Sequence, residues 1–322
     1  MNSLKFEGKG FDFFKIHILN VILTCVTATL LYPWAMVREI KYFCQNLSLA
    51  GQSFVFSGTT RSFFKDYIKT FLVFLGIFLM CLSGGFLVGV YQSFMISIPI
   101  YLTTVLLCTL LIYFFLPIVL HGSINYRFDH LSWRDIQPTY SGKLSELVPL
   151  YFTGMLLTSL TGGIYQAWYQ VKLYRYLLQN LRFGSLRFDF SGESKKLFFI
   201  FLKGTLLSFI TFGIYGIWYA KELYEFSVNN IVVRKGDQEF TLHSDANTLE
   251  VFEMMVGNFL LIVLTLGIGA SWAYMRYYNF LINHCVVPAD FDFSMIDEST
   301  NTENMEQSTT HWLDKWNPKL IA

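Results

Sequence analysis

Hydrophobic residues dominate the chain, and the longest stretch without a charged side chain runs from residue 70 to residue 126. None of these 57 residues is Asp, Glu, Lys or Arg. A helix needs about 20 apolar residues to cross the hydrocarbon of a bilayer. The stretch therefore predicts two transmembrane helices, at residues 67–90 and 97–119, joined by a short turn at residues 91–96.

Four more apolar segments, at about residues 16–36, 147–168, 197–217 and 250–273, carry an internal repeat. Each repeat has a tryptophan with a threonine seven residues before it, a charged residue four after it and an aromatic residue eight after it. The tryptophans are Trp34, Trp168, Trp218 and Trp272, the threonines are Thr27, Thr161, Thr211 and Thr265, and the charged residues are Arg38, Lys172, Glu222 and Arg276. Such a recurrence indicates duplication of one structural unit.

Each unit contains signals for a helix break and for a strand. Glycine lies five residues before the tryptophan in three copies, whereas the first copy has Thr29 there and Pro33 as an alternative break. An asparagine ends the second helical stretch, and a Phe-rich segment with alternating polarity follows it, which is typical of a strand. In the third copy, residues 231–242 predict a hairpin that turns at Lys235-Gly236-Asp237.

The predicted fold is an all-α polytopic membrane protein built from four helix–break–helix–strand repeats, with a small β element at the cytoplasmic face. The repeats occupy residues 1–66, 127–196, 197–248 and 249–295, and the uncharged helix pair at residues 67–126 is inserted after the first. Residues 296–322 are polar and predict a mostly disordered tail, in which Trp312 and Trp316 offer a short docking turn as the alternative.

Two topologies follow from this organisation. If all six apolar helices cross once, the 24 basic residues divide almost evenly between the two faces. If each repeat enters and returns to the same face, all basic residues lie on or near one side, as expected for cytoplasmic loops. We favour the second arrangement, with return helices that lie shallowly or line a water-accessible interior, because charges facing lipid cost about 3 kcal/mol each.

Composition agrees with a membrane protein: 53% of the residues are hydrophobic, 15% are charged, and mean hydropathy is +0.42. A net charge of +1 leaves no basic excess for a nucleic-acid partner. The five cysteines are scattered, without metal-ligand or C-x-x-C spacing, and are interpreted as reduced packing residues.

Chemical motifs are few. No phosphate loop, G-x-S-x-G or H-E-x-x-H occurs, and the six histidines have no metal-ligand spacing. We therefore expect no enzyme activity, no metal and no cofactor. Asn20, at membrane depth, is a functional candidate, with an interhelical hydrogen bond as the equal alternative.

The four tryptophans and the charges that follow them are the other candidate positions. In one interpretation Arg38, Lys172, Arg276 and Glu222 face a common interior and bind an anionic solute or headgroup. In the other, the charges extend to the headgroup region while Trp and Tyr anchor the helices. Gly85 and Gly89 have a spacing that permits close helix packing, within one bundle or between two copies of the chain.

Several patches resemble the YjgN-like family of bacterial inner-membrane proteins. They are Phe6-Glu-Gly8-x-Gly10-x-x-Phe13-Phe14, Pro33-Trp34-Ala35-x-Val37-Arg38, Phe54-x-Phe56-Ser-Gly58 and Thr211-x-Gly213-Ile-Tyr215-x-x-Trp218. The resemblance implies a multi-pass protein of the bacterial plasma membrane without an assigned biochemical role, and supplies no catalytic residues. Two functions are expected: transport of a small solute or ion between pseudo-symmetric repeats, or a non-transporting module that binds lipid or organises protein partners.

Overall fold

The computed structural model describes residues 4–90, 94–288, 291 and 296. The predicted tail therefore lies almost wholly outside the described residues, as do the first half of the turn at residues 91–96 and most of the last Phe-rich segment, at residues 291–293. Gly89 lies in a described helix, but its surroundings do not belong to the described part. At Gly85 a Cβ atom would meet nothing within 4 Å.

Ten helices account for most of the described residues. They are α1 (Gly10–Val26), α2 (Tyr32–Asn46), α3 (Thr60–Val90), α4 (Phe94–Asp129), α5 (Leu144–Leu160), α6 (Gln166–Gln179), α7 (Ser194–Ile210), α8 (Gly216–Asn229), α9 (Thr248–Leu264) and α10 (Ala270–Asn283). Consecutive helices pack as antiparallel pairs, which we call hairpin 1 (α1–α2), hairpin 2 (α3–α4), hairpin 3 (α5–α6), hairpin 4 (α7–α8) and hairpin 5 (α9–α10).

Short antiparallel strands join the helices at one end, which we call the base. They are β1 (Leu4–Phe6), β2 (Leu47–Leu49), β3 (Gln52–Ser53), β4 (Val55–Phe56), β5 (Leu131–Ser132), β6 (Pro138–Tyr140), β7 (Leu181–Phe183), β8 (Leu186–Phe190), β9 (Ile231–Lys235), β10 (Gln238–Thr241), β11 (His243–Ser244) and β12 (Cys285–Val286). The sheets run β1-β2-β3, β4-β5, β10-β9-β8-β7-β6 and β11-β12.

Each hairpin is closed at the base by the strand that precedes its first helix and the strand that follows its second. These pairs are β1–β2, β4–β5, β6–β7, β8–β9 and β11–β12. In every hairpin a backbone N–H before the first helix also donates to the carbonyl just after the second, at 2.9–3.4 Å. Hairpin 2, which the Trp pattern sets apart as an insertion, therefore has the same base as the other four.

The predicted turn at Lys235-Gly236-Asp237 is present between β9 and β10, which pair from Lys235 opposite Gln238. The Phe-rich segments do not join in one sheet within the described residues. Phe188 and Phe240 lie in the five-stranded sheet, whereas Phe56 lies on β4 of a two-stranded sheet. The base is a set of small sheets.

The hairpin tips share one geometry in hairpins 1, 3, 4 and 5, where five residues connect the helices. The repeated threonine caps both helix ends: its hydroxyl donates to the carbonyl four residues before, at 2.6–2.7 Å, and accepts from the N–H four residues after, at 2.7–3.2 Å. Capping of otherwise unpaired backbone groups explains why threonine recurs at this position.

Two successive residues at each of these tips adopt positive φ. The second is Gly163, Gly213 or Gly267, with φ of 91–94°, and its N–H donates to the carbonyl five residues before at 2.7–2.8 Å, as in a Schellman motif. In hairpin 1 the second is Thr29, with φ of 70°. Pro33 does not break the helix, because it lies in the first turn of α2, where proline is tolerated.

Replacing Thr29 by glycine is expected to stabilise the protein by about 1 kcal/mol, because a β-branched residue is strained at this φ. The measurement is the thermal midpoint of the purified protein. Thr24→Gly, inside α1, is the matched control and is expected to cost about 1 kcal/mol. A lower midpoint for Thr29→Gly would contradict the assigned tip geometry.

The five hairpins close into a ring. Each helix packs on the helices before and after it in the chain, and α10 packs against α1. Asn283 bonds Phe6 through both its amide and its carbonyl oxygen, just as Asn229 accepts from the N–H of Ser244 one hairpin earlier. The contact that joins the last hairpin to the first is thus equivalent to one between consecutive hairpins.

Two helical segments are long and apolar enough to cross a membrane: Tyr67–Phe86 of α3 and Ile98–Asp129 of α4. The first helices of the other hairpins have 17 residues each, or about 26 Å. Leu144–Leu160 is apolar but shorter than a span. Hairpin 2 is thus the longest of the five.

Candidate functional site

Two of the repeated tryptophans pack between neighbouring hairpins. The ring of Trp168 packs on Phe198 of α7, with centroids 5.3 Å apart, and Trp272 packs on Phe14 of α1, at 4.7 Å. Phe198 and Phe14 occupy the same position, the fifth residue of their helices, so the two contacts are equivalent around the ring. Trp218 is 44% exposed.

The structure does not bring together the four charges that follow these tryptophans, since each one interacts within its own hairpin. The Lys172 ammonium donates to the Tyr165 hydroxyl at 2.9 Å, and Glu222 pairs with Lys203 of α7 at 2.5 Å. Two guanidinium contacts complete the set: Arg276 donates to the Glu253 carbonyl oxygen at 3.4 Å, and Arg38 stacks 4.3 Å from the Trp34 ring centroid.

Asn20 makes an interhelical hydrogen bond inside hairpin 1. Its amide donates to the Ala35 carbonyl oxygen at 3.1 Å and to Glu39 Oε1 at 3.0 Å. Asn258 makes the same bond in hairpin 5, donating to the Ala273 carbonyl oxygen at 3.1 Å. The two asparagines lie at equivalent positions, seven residues before the tip threonine.

Hairpins 3 and 4 fill this position in a different way. Gly154 and Gly204 replace the asparagines, and Tyr169 and Tyr219 replace the alanines. A Cβ on either glycine would overlap the facing tyrosine ring. The hairpin interface therefore takes one of two complementary pairs, Asn with Ala or Gly with Tyr. Sequence reasoning missed this pairing, although the two asparagines and the two glycines occupy the same position of the repeat, seven residues before the threonine.

A polar cluster between hairpins was also missed. Glu39 of α2 accepts from Asn20, and its Oε1 lies 3.2 Å from His17 Nδ1 of α1. Arg127 of α4 lies within electrostatic range of Tyr32 on α2 and of Tyr274 on α10.

Glu39 also lies within electrostatic range of Tyr274. A carboxylate, a guanidinium and phenol groups from three different hairpins thus lie within electrostatic range of one another. These groups suit a polar or zwitterionic ligand. The signal in the sequence for this cluster was Glu39, because an acidic residue in an apolar hairpin requires a partner.

At the base, Cys285 of β12 is shielded from water, and this burial, together with the nearby Asp245 carboxylate, raises the pKa of its thiol to about 11. All five cysteines are free. Among the residues that the structure describes, no three His, Cys, Asp or Glu side chains are grouped closely enough to hold a metal ion.

Comparison with models of protein families assigns the chain to one family. Residues 1–220 and 217–310 match the family described as "Bacterial protein of unknown function (DUF898)". The chain belongs to this family. The two matches of the DUF898 model together cover nearly the whole sequence, and the YjgN-like resemblance drawn from the sequence patches is confirmed.

Curated relatives share part of their length with this DUF898 chain. The "Inner membrane protein YjgN" of Salmonella typhimurium is 34% identical over 74 residues, which are 23% of this chain and 19% of the relative. The protein of the same name from Escherichia coli strain K12 is 31% identical over 83 residues, 26% of this chain and 21% of the relative. The match thus spans about a fifth of each relative. No solved structure matches the chain.

Proposed function

We propose that the protein is a module of the bacterial inner membrane in which hairpin 2 crosses the bilayer, while the tips of the other four hairpins insert into the leaflet next to the base and bind lipid there. Its role requires neither transport nor catalysis. The observation that carries this proposal is the length of the uncharged tips compared with the thickness of a leaflet.

Charges limit how deeply each tip inserts. The uncharged tip segments are residues 16–37, 147–171, 204–220 and 254–275. On the second helix of each hairpin, only five or six residues separate the tip connector from the first charge, which is about 9 Å of helix. One leaflet contributes about 15 Å of hydrocarbon. The tips therefore fit within one leaflet, and deeper insertion would carry charges into hydrocarbon.

A contact with hairpin 2 supports a shallow position for the tip of hairpin 1. The Tyr67 hydroxyl donates to the Thr29 carbonyl oxygen at the tip of hairpin 1, at 2.8 Å. Tyr67 is the first residue of the candidate span Tyr67–Phe86. The tip thus lies at the start of that span, and about 30 Å of the helix continues beyond it.

The tips are strongly apolar where they are exposed. Phe212 is 98% exposed and Leu266 is 93% exposed. Both lie in connectors, at positions with no packing partner to explain a large apolar side chain. Hydrocarbon is the environment that suits them. The base, in contrast, carries exposed Arg182, Arg187 and Arg234 on adjacent strands, as expected of a cytoplasmic surface.

Thiol labelling tests the depth and the topology. Single cysteines at Ile164, Phe212 and Leu266, in a variant without native cysteines, are expected not to react with a charged maleimide from either side of intact vesicles, because only a thiolate in water is the nucleophile. The matched control is a cysteine at His243, an exposed residue of the base.

Two further cysteines, at Ser191 and Asn230 on the two sides of hairpin 4, separate a returning hairpin from a single crossing. Both are expected to react from the same side of inside-out vesicles. Labelling from opposite sides would show that the hairpin crosses, and would overturn the proposal.

Transport of a small solute is the second candidate function, favoured by the polar cluster in which Glu39 contacts Asn20 and His17 and lies within electrostatic range of Tyr274. The tip glycines, however, do not line a polar path within the described residues: Gly163, Gly213 and Gly267 have open space around them and apolar neighbours. Reaction of the tip cysteines with the charged reagent would favour transport over the lipid-binding module.

A further inference from the structure

An apolar groove of about 550 Å³ lies between the tip of hairpin 1 and helix α3. Its lining contains no charged side chain and consists of Thr29, Tyr32, Tyr67, Phe71, Phe74, Leu75 and Phe78. The volume falls within the range of small-ligand sites. Because the lining is almost entirely hydrocarbon, the ligand must be apolar over most of its length.

The position and length of the groove identify the ligand. Five of its residues lie within the span Tyr67–Phe86, so the groove is in the hydrocarbon of the membrane. From Tyr67 to Phe78 it follows α3 for about 16 Å. One leaflet contributes about 15 Å of hydrocarbon. The groove therefore has the depth of a single acyl chain that enters from the leaflet next to the base.

Polar groups lie at the end of the groove nearest the base. The Tyr67 hydroxyl donates to the Thr29 carbonyl oxygen at 2.8 Å, and the ring of Tyr32 lies 5.6 Å from that of Tyr67. Tyrosine is typical of the level at which the acyl chain of a lipid joins its headgroup.

We infer that the groove binds one phospholipid, with an acyl chain along α3 between Tyr67 and Phe78 and its headgroup beyond Tyr32 and Tyr67, toward the base. This inference rests on the proposed function and names its ligand. Tyr32 and Tyr67 mark the boundary between acyl chain and headgroup.

Filling the groove tests the site. The protein is reconstituted in vesicles of phosphatidylethanolamine and phosphatidylglycerol, extracted in detergent, and examined by native mass spectrometry for retained phospholipid. Leu75→Trp is expected to lower the retained phospholipid about ten-fold. The matched control is Leu79→Trp, one turn further along α3, exposed and outside the groove, and it is expected to retain phospholipid like the parent.

Equal retention by the Leu75→Trp and Leu79→Trp variants, whether high or low, would overturn the site, since bound lipid would then be annular only. Retention in detergent does not depend on tip depth, so failure here is distinguishable from failure of the thiol-labelling test.

Discussion

Asparagine in place of Gly154 is expected to destabilise hairpin 3 by about 3 kcal/mol, because its side chain overlaps the ring of Tyr169 in a closely packed interface. Tyr169→Ala alone is expected to cost a similar amount by leaving a cavity. The double variant restores the Asn–Ala pair that hairpins 1 and 5 already contain, and is expected to lose about 2 kcal/mol less than the sum of the two single losses.

The thermal midpoints of the parent, the two single variants and the double variant complete a double-mutant cycle for this pair. A favourable coupling energy of about 2 kcal/mol is expected, as for residues in direct contact. Additive losses in the double variant would mean that the two kinds of pair are not interchangeable, and the structural equivalence of the hairpins would be lost. Expression and monodispersity of the double variant control for misfolding.

Replacing Phe212 by aspartate is expected to have opposite effects on stability in water and in lipid. Phe212 has φ of 52° and is almost fully exposed, so in water Asp, which tolerates this backbone conformation, is expected to be neutral or stabilising. In the bilayer the same change places a carboxylate at the tip, at a cost of about 2–3 kcal/mol. We expect a lower thermal midpoint for Phe212→Asp in lipid nanodiscs.

Gly236→Asp is the matched control for the aspartate at Phe212. Gly236 also has positive φ, 55°, and lies in open space at the turn between β9 and β10. Its substitution is expected to change stability by only about 0.5 kcal/mol. If the Phe212→Asp variant is as stable as this control in nanodiscs, the tip of hairpin 4 is in water, and insertion into the leaflet is refuted.

The sequence predicts the hairpin tips well because tip geometry has strict chemical requirements. A five-residue connector with two left-handed residues needs a hydroxyl cap and, in most copies, glycine. Those residues recur at fixed distances from the tryptophans, and the helix–break–helix pattern follows. The first copy is the exception, because Thr29 accepts the strained conformation and conceals the missing glycine.

Hairpin 2 is not part of the tryptophan repeat, and the sequence therefore presents it as an insertion. Its position equivalent to the tryptophans is Ile118, so a pattern anchored on tryptophan misses it. It keeps only the base signals: Gly58 beneath the Phe56 ring, the Tyr126 hydroxyl that donates to the Thr59 carbonyl oxygen, and His130 in place of the terminal asparagine. These residues are determined by strand closure, which the base requires whatever the length of the helices.

The candidate site is harder to predict, because its parts come from distant segments. The groove combines the tip of hairpin 1 with α3. The polar cluster combines Glu39 of α2, Arg127 of α4 and Tyr274 of α10. Periodicity within one helix carries no information on such contacts. The charges after the tryptophans were conspicuous because they repeat, yet the structure gives each of them a partner in its own hairpin.

Closure of the ring has a consequence for biosynthesis. The bonds from Asn283 to Phe6 join residues 277 positions apart. A ribosome that adds about 5–20 residues per second needs roughly 15–55 s to make the intervening chain. Throughout that interval the flank of α1 that finally meets α10 is uncovered in the nascent protein, so insertion factors or lipid must shield it until α10 has been made.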